Sequence, residues 1–433
     1  MLYNKLSNKW KVLFLLFLAN FLNFFDRTIP AIIMEPLRLE YQLSDLKVGL
    51  IAAAFTLIYA IAGLPLGRLA DVGSRKNIMS CGLMIWSGFT ALNSLAWNYW
   101  SFLLIRLGVG VGEASYAPAA SSLISDLFPP KNLAKAMGIF MLGLPLGVTT
   151  AFFTVGTIVN TFESWRAPFI IAAIPGVLLA ILIFLIKEPT RIANNTSNSN
   201  ESVKYIIKKL LKIKTLRWLI LSGITLNFAS YAGTAFLVPL LQRYYSLNLV
   251  NAGLLTGCII GITGIIGLIG GGWISDKAQQ LHKRGRLIFG TLGMLISALG
   301  SFAALYFGKS SVSVFAIYFG TGWLAIYSYH VAVYPAIQEV VPPRSRATAV
   351  GLYFASMYIL GGAFGPLLLG ALSDYLANQA MINSGGIIMK ESFKAIGLYN
   401  ALYLIPIMLF LTAIFLFKAS SYFYDESRNF EGN

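Results

Sequence analysis

The chain has 433 residues, 12% of them charged and 57% hydrophobic, with a net charge of +16. A soluble chain carries about twice that charged fraction, so a water-soluble multidomain protein is excluded, and two cysteines exclude a disulfide scaffold. A polytopic membrane protein remains, and the basic excess must be explained by where it lies.

A helix needs about 20 largely apolar residues to cross a bilayer. Twelve segments meet this need: 12–34, 48–70, 77–97, 101–125, 136–159, 167–186, 216–241, 250–274, 287–307, 312–336, 347–372 and 395–418, numbered here as spans 1 to 12. Most are apolar all round, as lipid burial requires. No series of short alternating strands suggests a barrel. Span 1 follows Lys5, Lys9 and Lys11, but no small-x-small cleavage pattern comes after it, so it reads as a membrane helix and not a signal peptide.

Twelve spans put both termini on one side. With that side inside, 24 of the 33 basic residues fall in cytoplasmic segments and 7 in outer loops. The excess predicts cytoplasmic termini. The connection 187–217 alone holds eight basic residues around the polar run 194–200, and 203–214 is expected to form an amphipathic helix on the inner membrane face. Three parts follow: an N-terminal bundle over 1–186, a basic linker over 187–215 and a C-terminal bundle over 216–433.

Few ionisable groups lie within spans, where they are costly and functional. Asp26 and Arg27 sit mid-span in span 1. Arg106 and Glu113 lie in span 4, two turns apart on nearly one face. Asp26 with Arg27, and Arg106 with Glu113, are the pairs expected to balance. A carboxyl whose wetting and Arg partner both change between two states takes up and releases a proton. Glu113 and then Asp26 are the proton-coupling candidates. Arg27 and Arg106 are the candidates for holding a substrate carboxylate or phosphate. In the second half, span 7 offers Asn227, Ser230, Tyr231 and Thr234. Span 10 offers Trp323, Tyr327, His330 and Tyr334 on one helical face. Tyr353 and Tyr358 follow in span 11. An aromatic wall suits the apolar body of an amphipathic anion.

The two halves repeat. Pro129–Gly138 and Pro342–Gly351 share PPxxxAxAxG, and Gly67–Asp71 and Gly272–Asp276 share GxxxD. Six spans separate the matched copies, so the repeat is parallel, about an axis along the membrane normal. On these features the chain resembles the major facilitator superfamily. The loop Gly67, Asp71, Arg75 and Lys76 is similar to its signature loop, with Val72 in place of the usual basic residue. Asp71 is expected to pair with Arg75 and with helix termini as a conformational latch, repeated at Asp276. Glycines and prolines in span 5 (Gly138, Gly143, Pro145, Gly147) and span 11 (Gly361, Gly362, Gly365, Pro366) suggest close helix packing and kinks. The resemblance implies an all-α fold of two six-helix bundles and brings the charges of spans 1 and 4 together.

The wording around Asn23–Arg27, Arg106–Pro118 and Ser125–Pro129, with Arg346–Val350, Gly361–Pro366 and Ser373-Asp374, is similar to the Spinster branch. That branch implies a lysolipid or sphingolipid-type substrate and proton coupling through Asp26, Arg27, Arg106 and Glu113. Organic-anion symporters share the Asp-Arg and Gly-Glu-Ala wording and stay an alternative, as does a multidrug exporter. A membrane sensor or scramblase on the same fold is a further class. No P-loop, GxSxG, HExxH or CxxC motif occurs in a fitting context, so no enzyme activity, cofactor or metal is expected. The expected partners are protons, the carried small molecule or lipid and membrane lipids, without nucleic acid. A monomer in the plasma membrane is expected.

Overall fold

The computed structural model describes residues 8–189, 203–342 and 345–431. Among them every regular element is helical. Span 1 is one helix, Lys9–Tyr41, whose start is capped by the Asn8 side chain accepting from the Trp10 N–H. Ser74, Asn98, Asn248 and Ser311 cap later helices in the same way, each satisfying an amide that the helix leaves open.

Among the described residues ten helices are long and apolar enough to cross a membrane. Two further expected spans are also helical. Span 3 is Arg75–Asn93. Span 4 is broken into Tyr99–Ala114 and Tyr116–Leu127, each piece too short to cross alone. Pro118 explains the break: it has no N–H for the Ala114 carbonyl four residues back, and its ring crowds that carbonyl. Span 5 is likewise divided, into Pro130–Met141 and Gly143–Phe162. Spans 8 and 11 each contain a π-helical segment, Gly257–Ile262 and Met357–Ala363. The amphipathic helix expected over 203–214 is shorter, Val203–Leu210. The polar run 194–200 of the linker lies outside the described residues.

The chain forms two compact units. The first comprises Met1–Leu43, Ala54–Thr196 and Asn248–Gly257; the second comprises Ser44–Ala53, Ser197–Leu247 and Cys258–Asn433. The first residues of spans 2 and 8 thus group with the other half of the sequence.

In the first unit, Trp86 and Tyr116 meet edge-to-face at 5.6 Å, and Tyr116 donates to the Leu16 carbonyl at 2.6 Å. Glycines set the helix spacing. A Cβ on Gly147 would lie 2.3 Å from the Phe21 carbonyl oxygen, so span 5 packs directly on the backbone of span 1. The second unit repeats this on its own. Cβ atoms on Gly361 and Gly365 would each lie 2.4 Å from a carbonyl oxygen of span 7, Ile224 and Phe228.

Candidate functional site

Span 4 is held by its glycines. A Cβ on Gly112 would lie 2.7 Å from the Trp86 amide in span 3, and one on Gly110 would lie 2.6 Å from Ile58 in span 2. Hydrogen at these positions lets the helix press on both neighbours. Arg106 and Glu113 are thereby fixed in the interior of the first unit, at 2% and 1% exposure.

Arg27 donates from Nε and Nη2 to one oxygen of Glu113, at 3.1 and 2.9 Å. The rings of Tyr59, Phe24 and Phe55 lie 4.3, 5.1 and 5.2 Å from its guanidinium carbon, so cation–π attraction adds to the ion pair. The other Glu113 oxygen has no hydrogen-bond partner among the described residues. Asp26 is fully buried; its Oδ2 accepts from Thr90 at 3.3 Å, and its Oδ1 has no partner among those residues. Arg106 lies 4.7 Å over the Phe55 ring, with Nε and Nη1 unpartnered among the described residues. Its electrostatic neighbours are Glu113, Asp26 and Arg27.

The four charges come together, but not in the expected pairs. Successive residues on a helix point about 100° apart, so Arg27 turns to span 4 and Asp26 to Thr90 in span 3. Arg106 and Glu113 share a face but stand about 10.5 Å apart along the axis, beyond direct pairing. The rings of Phe55 and Tyr59 and the hydroxyl of Thr90 were not foreseen. None of the three has a charged residue within six positions in the sequence to draw attention to it. A second buried pair in span 1, Arg38 donating to Glu35 at 2.6 Å, was also not foreseen.

In the second unit the aromatic candidates form a run. Tyr231 meets Tyr358 at 6.0 Å, Tyr358 stacks on Phe354 at 6.0 Å, and Phe354 lies 5.5 Å from Tyr334. Tyr334 stacks on His330 at 6.2 Å, which is 6.0 Å from Tyr327. Two further candidates pack against neighbouring helices. Trp323 is 4% exposed and lies where a Cβ on Gly233 would sit, 2.9 Å away. Asn227 donates to the Met357 carbonyl at 3.0 Å, at the start of the π-helical segment of span 11.

Of the expected latch, Gly67, Arg75, Lys76 and Asp276 can be placed. The Asp71 side chain lies outside the described residues. Arg75, 1% exposed, donates from Nε to Glu188 at 2.9 Å and from Nη1 to Asp126. The Arg75 amide and the Ser74 hydroxyl also donate to Glu188, at 3.0 and 2.7 Å. Burial alone would raise the Glu188 carboxyl pKa; the hydrogen bonds from Ser74 and Arg75 outweigh it and hold it below the ordinary glutamate value. Arg75 thus donates to acids that follow spans 4 and 6. Lys76 lies 5.5 Å over the Phe184 ring, and Gly67 meets Pro118 only at ordinary contact distance. Asp276, 73% exposed, accepts from Arg286 at 3.4 Å, while Arg286 also pairs with Glu339. The acid of the second copy of GxxxD therefore faces solvent.

The family model described as Major Facilitator Superfamily matches residues 16–366. Protein spinster homolog 1 of Xenopus tropicalis is 28% identical over 84% of this chain and 73% of its own length. Sphingosine-1-phosphate transporter SPNS2 of the same organism is 26% identical over 96% and 82%. The hexuronate transporter of Bacillus subtilis is 27% identical over 90% and 94%. A crystal structure of a bacterial homolog to the human lysosomal transporter Spinster, inward-facing and unoccupied, matches with a TM-score of 0.80 at 26% identity over 98% of both chains. With only helices and ten of membrane length among the described residues, and a matching family model over most of its length, the chain belongs to the major facilitator superfamily of transporters and is similar there to the Spinster branch.

Proposed function

We propose that this transporter moves an amphipathic anion of the lysolipid or sphingolipid-phosphate kind, driven by protons, as its two halves rock to expose the site alternately. One observation carries the reading: Arg106 is buried beside the Arg27–Glu113 pair with two N–H groups unpartnered among the described residues. A buried guanidinium with spare donors is a receptor for a carboxylate or phosphate. Protonation of Glu113 removes the charge that holds Arg27 and frees a second guanidinium for the same anion. Asp26, bonded through one oxygen alone among the described residues, takes up or gives the proton beside it. The aromatic run of the second unit suits the apolar body, with Tyr231, Tyr327, His330 and Tyr334 as its contacts. Both termini are cytoplasmic on this reading, and the membrane is the plasma membrane.

The likeness to a hexuronate transporter favours a second substrate class, a small organic acid on the same two arginines. Proteoliposome flux under an imposed pH gradient tests both. A lysophospholipid anion is expected to be driven and a sugar acid not. Glu113→Gln is expected to abolish gradient-driven uptake while exchange down a substrate gradient persists. Intact gradient-driven uptake in Glu113→Gln would remove the coupling assignment.

A further inference from the structure

The end of span 12 runs on as one helix to Glu431, and lysines lie over aromatic rings around it. Lys418 lies 4.9 Å over the Trp218 ring, Lys214 lies 5.0 Å over Tyr422, and Lys283 lies 4.4 Å over Tyr424. Lys283 also donates to the Tyr424 hydroxyl at 2.6 Å. Glu426 accepts from the amides of Lys214 and Thr215 at 2.9 and 2.8 Å, tying this helix to the start of span 7. Aromatic rings and snorkelling lysines mark a membrane–water boundary.

At that boundary the turn between spans 8 and 9, His282-Lys283-Arg284, overhangs a cavity of about 340 Å³. Ile288 and Phe417 line its apolar side, and Phe417 is 60% exposed on the flank of a membrane-length helix. No acidic side chain lines the cavity among the described residues. Lys283 and Arg284 form no ion pair among those residues either; a phenol ring is what steadies Lys283. The cavity is thus cationic where it meets water and apolar where it meets the acyl region. Basic pockets of this kind between membrane helices take anionic lipid heads.

We propose that this cavity binds the phosphate head of an anionic phospholipid, held by Lys283 and Arg284, with its acyl chain along Phe417 and Ile288. The apolar floor decides for a lipid over free phosphate, which would gain nothing from Phe417. The proposal stands apart from the transport site, so its test needs no flux.

Purified full-length protein in neutral detergent is titrated with dioleoylphosphatidylglycerol, dioleoylphosphatidylcholine or inorganic phosphate, while thermal unfolding is followed. Phosphatidylglycerol is expected to raise the unfolding temperature and the other two are not. Lys283→Ala with Arg284→Ala is expected to shift the phosphatidylglycerol midpoint roughly tenfold or more to weaker binding, whereas Lys283→Arg keeps it. Native mass spectrometry counts retained phosphatidylglycerol directly and decides the matter if the double variant is less stable without lipid. One copy fewer than in the wild type supports the site. An equal count, an equal response to phosphatidylcholine, or the full shift from inorganic phosphate alone overturns it.

Discussion

Arg27 and Arg106 are both arginines of the first unit, yet their removal has different consequences. Arg27 neutralises a fully buried carboxylate, and breaking such a pair strands the partner. Arg27→Met is therefore expected to lower stability by about 3 kcal/mol, and adding Glu113→Gln to restore most of it. Arg106 has no carboxylate paired to it among the described residues, so Arg106→Met is expected to cost less than about 1 kcal/mol while weakening substrate binding. Thermal unfolding in detergent separates the two, and equal losses would contradict the pairing. Glu188 offers a titration. Its pKa is held below the ordinary glutamate value, so its contribution is complete above the unfolded pKa of about 4.3 and is lost as pH falls through the lower folded value. The advantage of the wild type over Glu188→Gln, about 1–2 kcal/mol for a charge-assisted bond, is expected to be flat from pH 8 to pH 6. It should vanish well below pH 4. A difference that persists there would assign the loss to packing. The identity of the four mid-span charges was legible, because a charge in an apolar run stands out at once, whereas Glu35 and Arg38, at the end of the apolar run, did not. The pairing of the four was not, since it depends on which way Asp26 and Arg27 turn, and that is set by spans 2, 3 and 4 together.

At the scale of the element, glycines separate into contact and open positions. Gly147 and Gly365 lie against backbone carbonyls of spans 1 and 7, where an added Cβ would approach to 2.3 and 2.4 Å. Gly138 and Gly351, the last residues of the two PPxxxAxAxG copies, meet nothing within 4 Å. Gly147→Ala and Gly365→Ala are expected to destabilise by about 1–3 kcal/mol through overpacking. Gly138→Ala and Gly351→Ala are expected to be neutral or to stabilise by up to about 1 kcal/mol, as Ala is the better helix former. Unfolding temperatures of the four variants check this, and a loss in Gly138→Ala equal to that in Gly147→Ala would refute the contact assignment. The spans themselves were legible from apolar length, which is all that lipid burial demands. The π-helical segments at Gly257–Ile262 and Met357–Ala363 were not. They depend on partners from elsewhere, such as the Asn227 amide on the Met357 carbonyl, and no local pattern encodes those.

Across the whole molecule the chemistry is divided. The first unit holds Asp26, Arg27, Arg106 and Glu113; the second holds the aromatic run from Tyr231 to Tyr327, with His330 in it, and a buried ion pair of its own, Asp45 with Arg243 at 2.7 Å. The parallel repeat predicts two similar scaffolds, and the matched glycine contacts of spans 5 and 11 agree with that. A repeat cannot say which copy keeps which function, because the scaffold contacts are backbone contacts and leave the remaining side chains free to diverge. The proposed mechanism makes that division measurable. In that proposal proton coupling is assigned to Glu113 and Asp26, and Tyr334 only grips the apolar body of the substrate. Tyr334→Leu is thus expected to raise KM about tenfold, the worth of one good aromatic contact, and to leave the dependence of uptake on the pH gradient unchanged. His330→Asn is likewise expected to keep that dependence. Glu113→Gln is expected to do the reverse, losing the gradient dependence with little change in exchange KM. Initial rates of uptake at several substrate concentrations and two imposed gradients give both quantities for each variant. Loss of gradient drive in Tyr334→Leu or His330→Asn would place part of the coupling in the second unit. The assignment of coupling to the first unit alone would then fail.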